Sequence, residues 1–250
     1  MADRQHPTPL RARLEKYYQI PPEAGRLLDR AEHEVVEVAA DSLVIKRSER
    51  NTCFLAVESG WLFRYRQSQD GSRQVVNFIL PGDLINPDAA VVTSMDHEVR
   101  TLTDVTLRRI EKQTMGRLLK SAPSLIAGLW WTSVQEKGML RAHVVRLGRE
   151  RAVVRVGSLL LELHHRLLTV ESAIDQNCYC LPLTQRELAD ALGLSSVHVS
   201  RVFSELRKLR LIRTRRGEVE LIDREKLVAF TSFDPAPFHL LSSAAESLFA

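Results

Sequence analysis

Ser195, Ser196, Val197, His198, Ser200 and Arg201 lie within the segment from Leu181 to Ile222, LPLTQRELADALGLSSVHVSRVFSELRKLRLIRTRRGEVELI. Short hydroxyls, an imidazole and a guanidinium at successive positions are groups that can reach base edges. Arg201 can form a bidentate pair with O6 and N7 of a guanine, and Val197 can touch a thymine methyl. Thr184, Gln185, Ser200, Arg213, Arg215 and Arg216 suit phosphate contacts, which give affinity without sequence information. From Ser195 to Arg216 the cations Arg201, Arg207, Lys208, Arg210, Arg213, Arg215 and Arg216 are opposed only by Glu205. That clustering is an electrostatic footprint for double-stranded DNA.

The elements that must position these groups are legible locally. Thr184 followed by Glu187 predicts a capping box that starts a helix over 185–192. Leu188, Ala191 and Leu192 would form its inner face, and Gly193 permits the left-handed turn that follows. Ser195 or Ser196 caps a second helix. In it Val199, Val202, Phe203 and Leu206 share one face, opposite Ser196, Val197, His198, Ser200, Arg201 and Ser204. Leu211-Ile212 and Val219-Leu221-Ile222 flank Arg216-Gly217 as two strands of a basic wing. This is a winged helix-turn-helix, which lays its second helix in the major groove. The plainer alternative is a charged helical pair within a larger fold; cap, turn, inner face and basic hairpin all favour the first reading.

The remaining chain is long enough for a second part. With 250 residues, 44% hydrophobic and 26% charged, it has the make-up of a globular protein that needs no staples. The net charge of +4 is too small to imply nucleic-acid binding alone. Cys53, Cys178 and Cys180 make a poor disulfide framework and suit a reducing cytoplasm. The N-terminus lacks an apolar secretory core, and no run approaches a membrane span. Two short helices are predicted over 9–18 and 22–31, each opened by proline. Short runs rich in Val, Ile, Leu and Phe then fill residues 34–112, punctuated by Ser59-Gly60, Asp70-Gly71 and Pro81-Gly82. Asp70-Gly71 is expected to form a two-residue hairpin turn, and the spacing of the strands indicates a β sandwich or barrel.

A long helix is expected from Pro123 to Leu147, with Ile126, Leu129, Trp130, Val134, Leu140, Val144 and Leu147 as its apolar seam. It could pair with its own copy, although Lys137 and Gly138 interrupt the seam. Gly148 and the charged residues after it read as a hinge, a further helix runs over 151–169, and 170–181 reads as a loop. The domains are therefore 1–122, a β sensor with N-terminal helices; 123–148, the dimerisation helix; 149–230, the DNA-reading part; and 231–250, a tail that is apolar enough to dock.

At LTQRELADALGLSSVHVSRVFSELRKLRLI, and more weakly at GDLINPDAAVVTSMDHEVRTLTDVTL, the chain resembles the Crp/Fnr family of bacterial transcription regulators, in a subgroup with VHVSR in its reading helix. The resemblance covers most of the chain. It implies an α+β protein with a cyclic-nucleotide-binding-like β-roll, a long dimerisation helix and a C-terminal winged helix-turn-helix. It implies a homodimer on an inverted repeat, with RNA polymerase as a further partner. Relatives commonly carry a Glu three or four residues before the groove Arg; Val197 stands here, so the usual half-site is not implied. Relatives that bind cyclic AMP hold its phosphate with a Gly-Glu and an Arg-Ser pair. This chain offers Asn86-Pro87 and Met95-Asp96, and a carboxylate repels a phosphate, so no cyclic nucleotide is expected in that mode. With no cysteine before Cys53, a four-cysteine iron-sulfur cluster is excluded within one chain.

Other groups could do chemistry. Cys178 and Cys180 could sense redox state or bind a soft metal with His164 and His165; the commoner outcome is two semi-buried thiols beside a hinge. His97 could ligate haem, but a lone histidine is more often a surface or core residue. No metal is assigned. Asp88 and Asp96 have no nucleophile or metal triad near them, and no phosphate loop exists, so an enzyme is not indicated. A ligand- or metal-binding sensor whose helix-turn-helix binds protein is the remaining alternative, distinguished by weak salt-dependent binding to random DNA.

Overall fold

A computed structural model describes residues 6–168, 170 and 177–238. By contacts the chain divides into two compact units, residues 1–62, 79–138 and 236–250 in one, and 63–78 with 139–235 in the other.

In the first unit, α1 (Pro9–Tyr18) and α2 (Pro22–Arg30) both begin with proline, whose fixed φ suits a first helical turn. Thr8 caps α1 by accepting the Arg11 N–H at 3.3 Å, and its hydroxyl donates to Asp29 at 2.6 Å. The unit's strands are β1 (Glu34–Val38), β2 (Leu43–Ile45), β3 (Cys53–Ser59), β6 (Glu98–Thr101) and β7 (Val105–Glu111), whereas β4 (Leu62–Gln67) and β5 (Arg73–Ile79) fall almost entirely within the second unit. One sheet has the order β1-β7-β3, antiparallel throughout, and β2 pairs with β6. Period-two alternation divides that sheet's faces. Phe54, Ala56 and Ile110 join a core with Leu10, Leu14 and Trp131, whereas Val57 and Leu107 join another with Ile45, Ile85 and Val99. Gly60 is obligatory: φ is +83° there, and a Cβ would lie 2.2 Å from the Asp104 carbonyl oxygen. Asp83 pairs with buried Arg13, which also donates to Gln135, and it accepts the Leu80 N–H at 2.8 Å.

Two expectations need correction here. Asp70-Gly71 is not a two-residue turn: β4 and β5 are joined by residues 68–72, and Gly71 alone takes positive φ, at +84°. Asp70 instead accepts from the Ser72 N–H at 2.9 Å and its hydroxyl at 2.7 Å, the local side-chain bonding that lets Asp open a longer loop. A further helix, α3 (Lys112–Ser121), follows β7 at once and buries Met115 and Leu118, two apolar residues too few to show a period.

The long helix α4 spans Ser124–Arg149. α5 (Ala152–Leu167) follows after a break at Glu150-Arg151, where the charged hinge was expected. In the second unit α5 packs against α6 (Gln185–Leu192), α7 (Ser196–Lys208) and α8 (Arg224–Thr231). Its buried Leu159, Leu160, Leu163 and Leu167 supply the apolar mass. A sheet of order β8-β10-β9 is built from β8 (Cys178–Cys180), β9 (Ile212–Arg215) and β10 (Glu218–Leu221). Residues 178–180, read as loop, are thus a strand. Fully buried Tyr179 anchors it, donating its hydroxyl to the Leu160 carbonyl at 2.9 Å. Buried Arg146 meets Glu162 at 2.6 Å, which leaves neither charge uncompensated. The tail lies outside the described residues from 239 onward; before that point Phe238 is buried, and its carbonyl accepts from Gln135 at 3.3 Å. Among the described residues no helix is long and apolar enough to cross a membrane.

α5 and α8 approach each other at Gly157, where a Cβ would stand 2.7 Å from Thr231 Cγ2 and 3.2 Å from Leu227 Cδ1. Gly157→Val is expected to cost about 1–3 kcal/mol by overpacking, read as a lower urea midpoint with an unchanged slope.

Candidate nucleic-acid interface

The capping box forms as expected. Thr184 Oγ1 accepts from the N–H groups of Arg186 and Glu187 at 3.2 and 3.4 Å, and Glu187 accepts the Thr184 N–H at 2.7 Å. Gly193 closes α6 in the left-handed conformation, φ +62°, and the Leu194 N–H returns to the Ala189 carbonyl at 3.2 Å. Ser195, not Ser196, caps α7, accepting the His198 N–H at 3.2 Å. The end of α6 and the start of α7 are therefore both pinned within two residues of Gly193.

Burial then divides α7 in two. Val199, Val202, Phe203 and Leu206 are buried, while Ser196, Val197, His198, Ser200 and Arg201 are exposed. Val197 is 62% exposed. The candidates for DNA contact do not share one role in the free protein. Arg201, Arg215 and Arg216 enter no ion pair among the described residues. Arg213 is committed across the wing to Glu220 at 2.7 Å, which weakens it as a phosphate contact. The Thr184 hydroxyl is likewise committed to the cap and to Glu187, whereas Gln185 is exposed.

The wing turn is Arg216-Gly217, with φ of +48° and +82° and Arg215 facing Glu218. Positive φ at both central positions is the type I′ pattern, matched to strand twist. Arg207 links α7 to the wing, donating to Ser204 at 2.9 Å and to Thr214 at 3.2 Å.

Two contacts escaped the sequence. Arg73, in the β4–β5 hairpin, grips Asp190 of α6 through Nε at 2.9 Å and Nη2 at 2.7 Å, and its guanidinium lies 4.7 Å from the Phe63 ring centre. Beside it Gln74 donates to the Ala191 carbonyl at 3.1 Å. Partners 117 residues apart leave no local periodicity to read.

The seam on α4 is redrawn. Leu129 is buried in the first unit's core and leaves the seam; Val134, Leu140 and Leu147 are half-buried. Ile126, Trp130 and Val144 stand 48%, 62% and 69% exposed. Ile126 and Leu140 lie on one heptad row with Ser133, and Trp130 and Val144 on another with Lys137.

Cys178 and Cys180 face Glu220 and Glu218 across β10. Burial, then the Glu218 charge, pushes the Cys180 thiol up, against thiolate chemistry near neutral pH. Among the described residues no three His, Cys, Asp or Glu gather to hold a metal ion. His97 Nδ1 sits 2.8 Å from Asp96, whose side chain is largely exposed, and Met95 is buried in the apolar core. A cyclic phosphate does not fit this set: the place of the cradle cation holds a thioether, and Asn86 spends its amide on Asn51 and the Cys53 carbonyl.

Residues 35–122 match the family described as "Cyclic nucleotide-binding domain" and residues 154–230 the one described as "Crp-like helix-turn-helix domain". The nitrogen fixation regulation protein FixK of Bradyrhizobium diazoefficiens is 29% identical over 197 residues, covering 79% of this chain and 81% of the relative. FixK of Rhizobium meliloti is 33% identical over 161 residues, 64% of this chain and 68% of the relative. The structure of FixK2 from Bradyrhizobium japonicum matches with a TM-score of 0.71 at 23% identity, over 79% of this chain and 96% of that one.

Arg216 holds a left-handed conformation that Asn tolerates better. Arg216→Asn is expected to gain about 0.5–1 kcal/mol of stability through relief of backbone strain. The same change should reduce the salt slope of duplex binding by about one unit and weaken all sequences alike. Thermal melts and salt titrations read the two effects separately.

Proposed function

The chain belongs to the Crp/Fnr family of transcription regulators, and from that premise we propose that it acts as a homodimer reading an inverted-repeat operator. As a family member it is a DNA-binding transcription regulator. The observation that carries the specific reading is α7, with apolar residues buried on one side and Val197, Ser200 and unpaired Arg201 exposed on the other.

Two-fold symmetry would set two copies of α7 about 34–36 Å apart, in successive major grooves on one face of the duplex. Arg201 then reads a guanine, Val197 a thymine methyl, and Ser196, His198 and Ser200 add hydrogen bonds to bases or phosphates. Gln185, Arg215 and Arg216 hold the backbone and fix register. Because Val197 is apolar where relatives commonly carry a carboxylate, the half-site should favour thymine over cytosine at that step.

The dimer seam is proposed along α4, through Ile126, Trp130, Leu140 and Val144. An exposed tryptophan and valine on helical spacing support it, since such residues gain most from a second apolar surface. Regulation is proposed to enter through the N-terminal β part. Contact with RNA polymerase is proposed because relatives such as AadR of Rhodopseudomonas palustris bear the name transcriptional activatory protein.

Selection from a random duplex pool should return an inverted repeat. Arg201→Ala should lose about 1–3 kcal/mol of preference for it while keeping the wild-type fold; undiminished discrimination would remove α7 as the reader. Trp130→Glu should shift sedimentation from dimer to monomer at micromolar concentration. A dimer that persists would place the seam elsewhere.

A further inference from the structure

The β part contains a cavity of about 370 Å³ whose residues come from β1, β2, β3, β7 and the loops at 49–52, 86 and 95; no residue of α4, β4 or β5 lines it. Val36, Val38, Val44, Leu55, Leu107 and Met95 form its apolar wall. The first four pack on the inner core yet remain half-buried, because the cavity keeps them open. Leu43, at its mouth, is 44% exposed. Inward-facing strand positions that stay wet cost free energy that a ligand would recover.

A chain of amides ends at this cavity. The Leu55 N–H donates to Asn86 Oδ1 at 3.0 Å, so the Asn86 amide nitrogen must face the other way. That nitrogen donates to Asn51 Oδ1 at 2.6 Å and to the Cys53 carbonyl at 2.8 Å. Turning Asn51 over would set donor against donor, so its orientation is fixed by its neighbours. Asn51 is 9% exposed, and its Nδ2 has no acceptor among the described residues. A buried donor left unmet costs about 1–3 kcal/mol, which a carbonyl oxygen in the cavity would restore.

The rim decides the ligand's charge. Arg109 is already held by Glu34 at 2.7 Å and Glu111 at 2.9 Å. Those two carboxylates offset its charge, and the exposed Arg50 has Glu49 next to it in sequence on the same rim. With three carboxylates against two cations among these groups, an anion gains little and loses hydration.

From the cavity, the orphaned Asn51 amide and a rim without excess positive charge we infer that the β part binds a small uncharged apolar molecule through one carbonyl oxygen. The oxygen accepts from Asn51 Nδ2, and the hydrocarbon lies along Val36, Val38, Val44 and Leu55. The inference rests on the N-terminal part being the regulatory one, but the binding step is independent of DNA and is measured without it.

Isothermal titration of the full chain with 2-octanone, octanoate and octane tests the assignment. The ketone should bind, and octanoate should bind about tenfold or more weakly. Asn51→Asp keeps the acceptor that Asn86 uses and turns the donor into a second acceptor. It should weaken the ketone about tenfold or more, with little change in octane binding. Leu43→Trp, at an exposed mouth position, should fill the cavity and abolish binding of both while melting remains cooperative. No heat with any of the three compounds, or Asn51→Asp and Leu43→Trp binding the ketone as wild type does, overturns the inference. A protein that selects an operator yet takes up no ketone would refute this site alone. One that binds the ketone and no duplex would refute the DNA reading alone.

Discussion

The burial of Val199, Val202, Phe203 and Leu206 is the constraint on which the reading surface depends. Each such side chain removed from water contributes about 1.5–3 kcal/mol, and four on one face leave α7 a single stable rotation against α5 and α6. With that rotation set, the spacing of 3.6 residues per turn determines what faces out. Arg201 lies two positions after Val199 and one before Val202, about half a turn off the buried stripe. Its exposure follows from packing it takes no part in. A polar residue at Val199 or Phe203 would therefore disturb DNA reading without ever approaching a base.

Legibility followed range. Thr184, Glu187, Gly193 and Ser195 act within four residues of themselves, and the sequence placed both helices of the reading unit from them. The first strand and the end of the β part were equally plain, because alternation and turn residues are local signals. Asp70-Gly71 misled because a dipeptide cannot reveal that Asp70 would bond Ser72 and open the turn to five residues. β8 was missed because Cys-Tyr-Cys is too short for a period; its strand character comes from β10 beside it and from Tyr179 reaching Leu160. Leu129 was placed on the wrong face of α4 for a related reason. A long helix with apolar residues on several sides fits more than one seam until the neighbouring core claims some of them.

The family resemblance carried most where the residues were themselves informative. Where the family's phosphate cradle would stand, the chain has Asn86, whose amide is spent on Asn51 and the Cys53 carbonyl, and buried Met95, neither of which suits a phosphate. In place of the cradle the structure has an amide relay, Leu55 to Asn86 to Asn51, ending on an unmet donor. Gly82-Asp83, a family mark in the sequence, has a structural duty here: Asp83 neutralises buried Arg13 and ties the loop to α1. A motif can thus persist for folding while the ligand chemistry beside it changes.

The Arg73–Asp190 pair shows how a β hairpin comes to bear on the first helix of the helix-turn-helix. Exposed ion pairs contribute little, but this one is about four-fifths buried on both sides, directs Nε and Nη2 onto the single oxygen Oδ2, and stacks its guanidinium over Phe63. Guanidinium geometry makes it directional: a lysine could supply the charge but neither the fork nor the stacking. Asp190 belongs to α6, and α6 packs on α7. A change in the hairpin that draws Arg73 away leaves a carboxylate about four-fifths buried with nothing to offset its lost hydration, beside α7. The Gln74 bond to the Ala191 carbonyl acts on the same end of α6, where the turn at Gly193 must keep its geometry. The hairpin and the turn are therefore coupled through one end of one helix, by two contacts with opposite demands on solvent: an ion pair that burial strengthens and an amide bond that water can replace.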